Sequence, residues 1–573
     1  MDESDEGQGR EARGNDGAEG PDGLTFLVMR GPPPPRSERF AALRARVFDV
    51  LVVGGGITGC AIARDAALRG LAVALVEKGD FASGTSSRSS RLIHGGVRYL
   101  EHGHLHLVFE SSAERRRLLR LAPHLVRPLQ FIWPVYEGAR IPQWRLGAGL
   151  MLYDVLSLFR NVGRHHRLSR DAVLGHEPLL RSDGLLGGAR YFDAATNDAR
   201  LTLANAVSAA EAGAVVVNHA AVTAFLAERG ALTGATVQDP TNQAIANVRA
   251  TVVVNATGPW SDDLRQLDPS LPHGVTSHAL RGSKGAHIAV PRERLGNHDA
   301  LTLLSPTDGR VLFLLPAQSD AIVGTTDTYT TSSPDDARAT NEDVRYLLDA
   351  ANAFFPKAKL VGDDVVSAWA GIRPLLPVAA ETPGGVSREH AIMTSASGLV
   401  SITGGKLTTY RVMARDVVRV VLDRLRRRAG TDRTETLPLP GGDFLSLDDV
   451  ISDASRATGD PGLARHLAIS HGTRWPEVWE EISRDADART LVAPDLPYTL
   501  GELRYSVARE MAETLGDLLI RRTHVAFETR DHGAGAAERV AGGLAPLLGW
   551  SQVDQRRAIE EYVREAEGVF NIG

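Results

Sequence analysis

Three glycines and one acid in the N-terminal part of the chain have the spacing that a dinucleotide site requires. Gly54, Gly56 and Gly59 form a Gly-x-Gly-x-x-Gly turn, and Glu77 follows the next apolar run. The first glycine permits a tight bend, the second lets a pyrophosphate approach the backbone, and the third lets the following helix pack on the strand. The N–H groups at the start of that helix attract phosphate. Because an acid at this distance accepts hydrogen bonds from a ribose 2′-hydroxyl, the pattern predicts a dinucleotide without a 2′-phosphate.

A segment rich in small hydroxyls follows, from Thr85 to Leu100. It reads Thr-Ser-Ser-Arg-Ser-Ser-Arg-Leu-Ile-His-Gly-Gly-Val-Arg-Tyr-Leu and contains His94 and Arg98. Small side chains and paired glycines let a backbone lie close against a flat ligand. Taken alone, the segment is also compatible with a serine-rich loop around a histidine that has a packing role.

Three cations stand next to glycine-containing turns in distant parts of the sequence: Arg98, Arg373 and Lys406. Guanidinium groups bind phosphate oxygens through paired hydrogen bonds, so the set suits a phosphate. Each cation alone is equally compatible with a solvated surface charge. The sequence has no cysteine pair and no His-Glu-x-x-His or Gly-x-Ser-x-Gly motif, so it predicts neither a metal site nor a hydrolase triad.

The elements that position these residues alternate between strand and helix. Residues 48–53 and 71–76 predict strands and residues 60–69 the helix between them, which together form a βαβ unit. Further strands are predicted at 214–217 and at 250–255, the second of which is followed by Ala256-Thr257-Gly258. A strand followed by Ala-Thr-Gly is typical of a second cofactor contact in flavoproteins that have a dinucleotide-binding fold.

The remaining patterns indicate a second sheet and a helical end. Short apolar runs between residues 277 and 326 alternate with turn residues, which favours an antiparallel or mixed sheet. Residues 408–428 predict a long helix, and helical patterning dominates from residue 443 onward.

Composition limits the class of protein. The chain has 573 residues and a net charge of −6, which predicts several domains and argues against a nucleic-acid partner. Cys60 is the single cysteine, so no intramolecular disulfide is expected. No apolar run reaches the roughly 18 residues of a membrane span, and the acidic start is not a secretory signal. Residues 1–45 predict a disordered acidic tail, although the apolar run at 24–29 could dock on the body or on a partner.

Taken together, the motifs resemble those of the FAD-dependent, aerobic, quinone-linked glycerol-3-phosphate dehydrogenases, which are D-amino-acid-oxidase-like flavoproteins. The resemblance extends from about residue 48 to residue 428 and is most specific in the segments 89–100 and 404–411. Two departures are visible. Ala61 stands where the family often has a further glycine, and the first 45 residues have no recognised counterpart.

The resemblance implies an α/β fold with three parts. A Rossmann-like FAD-binding domain is expected from residues 46–125, 185–270 and 390–430. An inserted substrate-binding domain with an antiparallel or mixed sheet is expected from 126–184 and 271–389, and an all-helical C-terminal domain from 443–573.

The resemblance also implies a reaction, the oxidation of sn-glycerol 3-phosphate to dihydroxyacetone phosphate with hydride transfer from C2 to FAD N5. Arg98, Arg373 and Lys406 would hold the phosphate or polarise the hydroxyl, and Tyr99 and Thr409 would line the substrate pocket. His287 is expected to be the base, since an ordinary histidine pKa suits proton uptake at neutral pH. His94 is the alternative base, although its loop favours flavin packing.

The set of residues expected to bind FAD is large and includes the glycine turn, the acid and the serine segment. Its members are Gly54, Gly56, Ile57, Thr58, Gly59, Glu77, Lys78, Thr85, Ser86, Ser87, Ser89, Ser90, Leu92, His94, Gly95, Gly96, Val222, Ala256, Thr257, Gly258, Gly371, Arg373, Gly405, Lys406, Leu407 and Thr408.

The family relationship implies that electrons pass to a membrane quinone and that the protein attaches peripherally to the inner face of the cytoplasmic membrane, as a homodimer. Residues 410–428 form the candidate membrane helix because they combine an apolar face with seven arginines. An ordinary core helix with terminal arginines explains the same pattern equally well.

Three alternatives to this function stay open at this stage. The enzyme could reoxidise with O2 as a glycerol-3-phosphate oxidase, or it could oxidise another 2-hydroxy or 2-amino acid whose carboxylate the cations would bind. A FAD-binding scaffold without turnover is the third.

Overall fold

The structure is a computed structural model that describes residues 31–97, 105–157, 162–271, 280–376, 389–428 and 430–573. Two large sheets and a C-terminal group of helices form its core. The strands β1 to β18 are, in chain order, Phe48–Val53, Val73–Val76, Leu92–Ile93, Val126–Tyr136, His166–Ser169, Leu185–Thr196, Val215–Val217, Ala221–Glu228, Ala231–Gln238, Ile245–Asn255, Arg281–Pro291, Ala300–Leu304, Val311–Ala317, Asp320–Gly324, Thr328–Thr330, Ser367–Leu375, His390–Thr394 and Val400–Gly404.

The helices α1 to α17 are, in chain order, Arg36–Ala42, Ile57–Leu68, Leu105–Leu121, Gln143–Leu156, Arg170–His176, Asp198–Glu211, Ser261–Arg265, Arg292–Leu295, Asn341–Phe354, Tyr410–Leu425, Leu447–Thr458, Pro461–His471, Trp475–Ser483, Leu500–Arg509, Val525–Glu528, Ala534–Leu548 and Gln552–Phe570. A π-helical segment, Asp517–Arg522, precedes α15.

The first sheet carries the predicted βαβ unit. Its strand order is β17-β18-β10-β1-β2-β7, and β1 pairs in parallel with both β2 and β10. The strands β1 and β2 are apolar and almost wholly buried, as expected of central parallel strands that are covered on both faces. The helix α2 packs against both α6 and α10 beside this sheet.

The second sheet has ten strands in the described residues, in the order β15-β11-β14-β13-β12-β4-β6-β3, with β16 paired to β11 and β5 to β6. Most of its pairs are antiparallel, and the pair of β12 with β4 is parallel. After the loop at 436–446 the chain is almost entirely helical, from α11 to α17. The predicted α/β class, with a mixed second sheet and a helical end, is confirmed.

Two predicted boundaries are wrong. Residues 36–42 form α1 rather than part of a disordered tail, because Phe40 and Leu43 are buried and the Arg39 guanidinium donates to the Val216 carbonyl oxygen at 3.0 Å. Residues 185–196 belong to the second sheet, as β6, because this strand pairs with β4 along almost its whole length. The first sheet resumes only at β7.

Candidate active site

A cavity of about 750 Å³ lies between the two sheets and is lined by residues of both. At one end lie the turn between β1 and α2 and the end of β2. At the other end lie β11, β16 and the turn before α10. The predicted nucleotide end and the predicted substrate end therefore belong to one continuous cavity.

The glycine turn has the close packing that a pyrophosphate cradle needs. Gly54 has φ +112°, and a Cβ there would lie 2.6 Å from the Ala256 carbonyl oxygen. A Cβ on Gly59 would overlap the Gly54 carbonyl oxygen. Since neither position tolerates a side chain, the backbone of the turn and the N-terminus of α2 stay open to a ligand.

Glu77 lies at the end of β2, beside this turn. Its carboxylate accepts hydrogen bonds from the Gly55 N–H at 2.6 Å and from the Gly79 N–H at 2.8 Å. Burial raises the pKa of Glu77, while these two donors oppose the shift. The carboxylate is thus held in one orientation at the cavity wall and retains lone pairs for a ribose hydroxyl.

The serine segment is fixed by bonds to three other parts of the chain. Ser86 Oγ accepts from the Ile57 N–H at 3.0 Å, and Thr85 Oγ1 donates to the Ile372 carbonyl oxygen at 2.7 Å. Ser89 Oγ donates to the buried Asp198 carboxylate at 2.6 Å. The segment therefore joins the two sheets around the cavity.

His287 lies on β11, is almost fully buried and lines the cavity. Its Nε2 lies 2.8 Å from Ser90 Oγ, and its ring stacks on Trp369 with centroids 5.4 Å apart. Burial, with Arg373 and Arg91 as further causes, lowers the pKa of His287 to about 3. The expectation of an ordinary histidine pKa is therefore wrong for this position, because desolvation and two nearby cations disfavour the imidazolium.

Arg373 lies on β16 and lines the same end of the cavity. Its guanidinium donates to Asp327 Oδ1 and to Thr325 Oγ1, each at 3.1 Å. Lys406 also lines the cavity, and its ammonium donates to Ser111 Oγ at 3.0 Å. Two cations from different elements thus line the same cavity.

The structure brings most of the predicted residues to the cavity. From the cofactor set, the lining residues are Gly54, Gly56, Ile57, Thr58, Glu77, Lys78, Thr85, Ser86, Ser89, Ser90, Leu92, His94, Gly96, Val222, Ala256, Thr257, Gly258, Gly371, Arg373, Gly405, Lys406 and Leu407.

Five predicted residues do not line the cavity: Gly59, Ser87, Gly95, Thr408 and Thr409. Gly59 packs under the turn, and Thr408 Oγ1 bonds the backbone N–H and carbonyl of His94, so both support the wall from behind. Thr409, the residue before α10, is buried and does not line the cavity, whereas the sequence predicts it in the substrate pocket. Arg98 and Tyr99 lie outside the described residues.

The sequence reasoning missed two features of the cavity. Arg310 lines it and donates to the Asp327 backbone carbonyl at 2.7 Å, so a third cation lies near Arg373. An aromatic wall also lines it: Phe131, Trp133, Tyr191 and Phe313. The signal available in sequence was the two-residue spacing of Phe131 and Trp133, which a strand places on one face.

Comparisons with known proteins identify the family of the chain. A family model described as "FAD dependent oxidoreductase" matches residues 49–411, and one described as "C-terminal domain of alpha-glycerophosphate oxidase" matches residues 432–555. The fold and the cavity thus define a FAD-dependent oxidoreductase. The Gly54 turn, the oriented Glu77 carboxylate and the cavity volume of about 750 Å³ fit FAD as its cofactor.

Three similar proteins are named as glycerol-3-phosphate dehydrogenases. Glycerol-3-phosphate dehydrogenase 2 of Mycobacterium bovis is 38% identical over 541 residues, covering 93% of this chain and 91% of that protein. Aerobic glycerol-3-phosphate dehydrogenase of Bacillus subtilis is 35% identical over 501 residues, covering 85% and 89%. The crystal structure of the glycerol-3-phosphate dehydrogenase from Bacillus halodurans, complexed with FAD, has a TM-score of 0.77 and 32% identity, covering 95% and 98%. The chain belongs to the family of FAD-dependent glycerol-3-phosphate dehydrogenases.

Proposed function

We propose that this protein oxidises sn-glycerol 3-phosphate to dihydroxyacetone phosphate and passes the electrons to a membrane quinone. The observation that carries the proposal is the convergence of Arg373, Arg310 and His287 on one end of a cavity whose other end is a dinucleotide cradle. When bound, FAD supplies its N5 atom as the acceptor of the hydride from C2 of the substrate.

The cations suit the phosphate of this substrate. The Arg373 guanidinium is preorganised by Asp327 and Thr325, and Arg310 is held by the Asp327 backbone. A planar guanidinium group binds a phosphate through two parallel hydrogen bonds. Because the protein already fixes its orientation, less conformational entropy is lost on binding. Lys406 also lines the cavity, and its ammonium suits the substrate hydroxyl.

His287 is the proposed acceptor of the 2-hydroxyl proton, with His94 as the alternative. Its low pKa keeps the imidazole neutral at pH 7, so a ring nitrogen is available to accept. A dianionic phosphate bound at Arg373 offsets part of the positive charge that lowers this pKa, and substrate binding therefore makes His287 more basic. Ser90 holds Nε2 and fixes the ring orientation.

The test is an anaerobic spectrum of the purified protein with FAD, before and after addition of glycerol 3-phosphate. We expect the flavin absorbance to bleach with glycerol 3-phosphate and to persist with glycerol, which lacks the phosphate. A flavin that glycerol 3-phosphate leaves unchanged, while another hydroxy or amino acid bleaches it, would overturn the substrate assignment. Failure to bind FAD even after reconstitution would overturn the cofactor assignment.

The onward acceptor is tested with the same reduced protein. We expect rapid reoxidation by a short-chain quinone and slow peroxide release in air. Stoichiometric peroxide at a rate equal to turnover would instead make the protein a glycerol-3-phosphate oxidase.

A quinone acceptor places the protein at the inner face of the cytoplasmic membrane. No helix in the described residues is long and apolar enough to cross a bilayer. The helix α10 was one candidate for peripheral contact, but its apolar residues, from Met413 to Leu422, are buried on the protein core, so that candidate is wrong. The expected homodimer stays a prediction.

A further inference from the structure

The nucleotide end of the cavity has a wall to which both sheets contribute. Lys78 follows β2 and Trp260 follows β10, and both strands belong to the first sheet, whereas Asp335 lies between β15 of the second sheet and the helix α9. All three residues line the cavity. Because Lys78 directly follows Glu77, which lies beside the glycine turn, this wall belongs to the nucleotide end. We call residues 331–340, which join β15 to α9, the β15–α9 segment.

One carboxylate oxygen of Asp335 joins the three side chains. The Lys78 ammonium donates to Asp335 Oδ1 at 3.0 Å, and the Trp260 indole N–H donates to the same oxygen at 3.0 Å. The Lys78 Nζ atom also lies 4.5 Å from the centre of the Trp260 ring, an arrangement in which the aromatic face attracts the cation. Each side chain thus contacts the other two. We call Lys78, Trp260 and Asp335 the latch.

A glycine fixes the position of the indole in the latch. Gly84 lies just before the serine segment, and a Cβ there would lie 2.8 Å from Trp260 Cζ3. The indole therefore lies directly against the backbone of this turn. A larger residue at position 84 would displace the ring and, with it, the donor to Asp335.

The β15–α9 segment is held on both sides of Asp335. The Asp335 N–H donates to Ser333 Oγ at 3.3 Å. Arg88, in the serine segment, lines the cavity and donates from Nη1 to the Ala337 carbonyl oxygen at 3.3 Å. Because the backbone on either side is fixed, little further entropy is lost when the Asp335 carboxylate meets Lys78 and Trp260.

The stability of the fold does not account for the latch. The side chains of Lys78 and Asp335 are 51% and 62% exposed, and an ion pair this exposed contributes little to stability. Its position has a clearer consequence for a ligand. The latch connects the sheet that carries the glycine turn to the sheet that carries the substrate end, across the wall of the cavity. A nucleotide at this end is therefore bounded by both sheets.

We propose that the latch retains the cofactor, and that Asp335 slows the release of FAD by holding Lys78 and Trp260 together at the nucleotide end of the cavity. Asp335 is a positioning residue, since it acts through the other two side chains. FAD as the cofactor follows from the family of the chain. The proposal is therefore independent of the proposed substrate and of the electron acceptor.

The experiment measures the rate at which FAD leaves the protein. The FAD-loaded protein is diluted at a fixed temperature, and the flavin absorbance of the ultrafiltrate is followed over time. Asp335→Ala removes the shared acceptor, and Trp260→Phe removes the indole donor but keeps an aromatic ring for Lys78. Asp336→Ala is the matched control. Asp336 is the next residue, is exposed and has the same charge, and among the described residues its carboxylate bonds neither Lys78 nor Trp260.

We expect Asp335→Ala to accelerate FAD release about three- to tenfold and Trp260→Phe about two- to fivefold, because exposed ionic and cation–π contacts have modest energies. Asp336→Ala should leave the release rate unchanged. High salt should accelerate release from the wild-type protein more than from Asp335→Ala, because salt screens the pair with Lys78. The melting temperature of the FAD-free protein should be the same in all variants.

Three results would overturn the proposal. One is release of FAD from Asp335→Ala at the wild-type rate. Another is equal acceleration by Asp336→Ala, which would make the effect one of net charge in the β15–α9 segment. The third is a lower melting temperature of the FAD-free Asp335→Ala protein together with faster release, which would assign the latch to the stability of the fold.

Discussion

At the scale of single residues, the site depends on His287 and on the groups around it. The ring is held between Ser90 and Trp369, and Trp369 is in turn held edge-on by Phe527 of the C-terminal domain at 5.1 Å. The Arg91 guanidinium lies over both aromatic rings, at 5.5 Å from Trp369 and 4.7 Å from Phe527. A neutral, oriented imidazole results, and it becomes a better proton acceptor when a bound phosphate raises its pKa.

Replacement of the base separates the two histidine candidates. We expect His287→Asn to lower kcat by about 10²- to 10⁴-fold, the usual contribution of a general base, with little change in bound FAD. His94→Asn should change kcat by less than about tenfold, since we expect His94 to pack on the cofactor. Steady-state kinetics with a dye acceptor measures both, and a reversal of the two effects would make His94 the base.

Arg373 is expected to bind the substrate phosphate and to take no part in hydride or proton transfer. We expect Arg373→Lys to raise KM for glycerol 3-phosphate by about 10- to 100-fold, because an ammonium loses the paired hydrogen bonds that a guanidinium makes. The kcat at saturating glycerol 3-phosphate and the content of bound FAD are the controls and should change little. A lower melting temperature together with a loss of bound FAD would mean that Arg373 supports the fold instead.

At the scale of elements, the register of β11 with β16 assembles the substrate end. His287 lies opposite Trp369, and Ser283 lies opposite Arg373, so the period of two brings these residues to neighbouring positions of one sheet. Gly285 leaves room for the Arg373 guanidinium, since a Cβ there would lie 2.5 Å from Nη2. A slip of one residue would move the whole set to the other face.

The short helix α15 carries a carboxyl whose charge depends on pH near neutrality. Burial raises the pKa of Glu528 to about 7, and Tyr498 donates to it at 3.2 Å. Between the ordinary value of about 4.5 and this value, the folded state binds a proton that the unfolded state does not. The free energy of unfolding therefore falls as pH rises through this range.

Glu528→Gln should remove this dependence. We expect the free energy of unfolding of the variant to exceed that of the wild-type protein by about 1–3 kcal/mol at pH 8 and by little at pH 4.5. This range follows because a shift of one pKa unit corresponds to about 1.4 kcal/mol. Thermal unfolding at the two pH values measures it. The exposed Glu567→Gln is the control, and an equal gain for both variants would contradict the assignment.

At the scale of the whole molecule, a buried ion network joins the C-terminal domain to the first sheet. Asp80, just after β2, accepts from Arg521 Nε at 2.8 Å and from Arg522 Nη2 at 3.0 Å. Asp80, His219 and Asp517 place possible ligand atoms within 4.8 Å of one another. The two guanidinium groups already pair with these carboxylates, so the cluster is built as an interdomain ion network.

Loss of one partner of this network should loosen the C-terminal domain. We expect Asp80→Asn to lower the free energy of unfolding by about 3–5 kcal/mol, because it leaves buried guanidinium charge uncompensated. Limited proteolysis and thermal unfolding measure the effect. Asp453→Asn, which breaks an exposed pair with Arg456, should cost less than about 1 kcal/mol, and equal costs would contradict the role of the network.

The sequence by itself determined the features that depend on neighbours along the chain. The glycine turn, the acid after β2 and the serine segment are local patterns, and most of their described residues line the cavity, although Gly59, Ser87 and Gly95 do not. The family-specific segments also determined the class of enzyme. Local sterics and hydrogen bonding explain this, because a helix N-terminus or a tight turn needs only residues close in sequence.

Only the tertiary structure decided the features that depend on distant pairs. Strand pairing placed β6 in the second sheet, brought Arg310 next to Arg373 and built the aromatic wall. Burial gave His287 a pKa of about 3, and packing buried the apolar face of α10 on the protein core. Apolar periodicity predicts that one face of a helix is buried. The surface that buries it is formed by residues that can lie hundreds of positions away in the sequence.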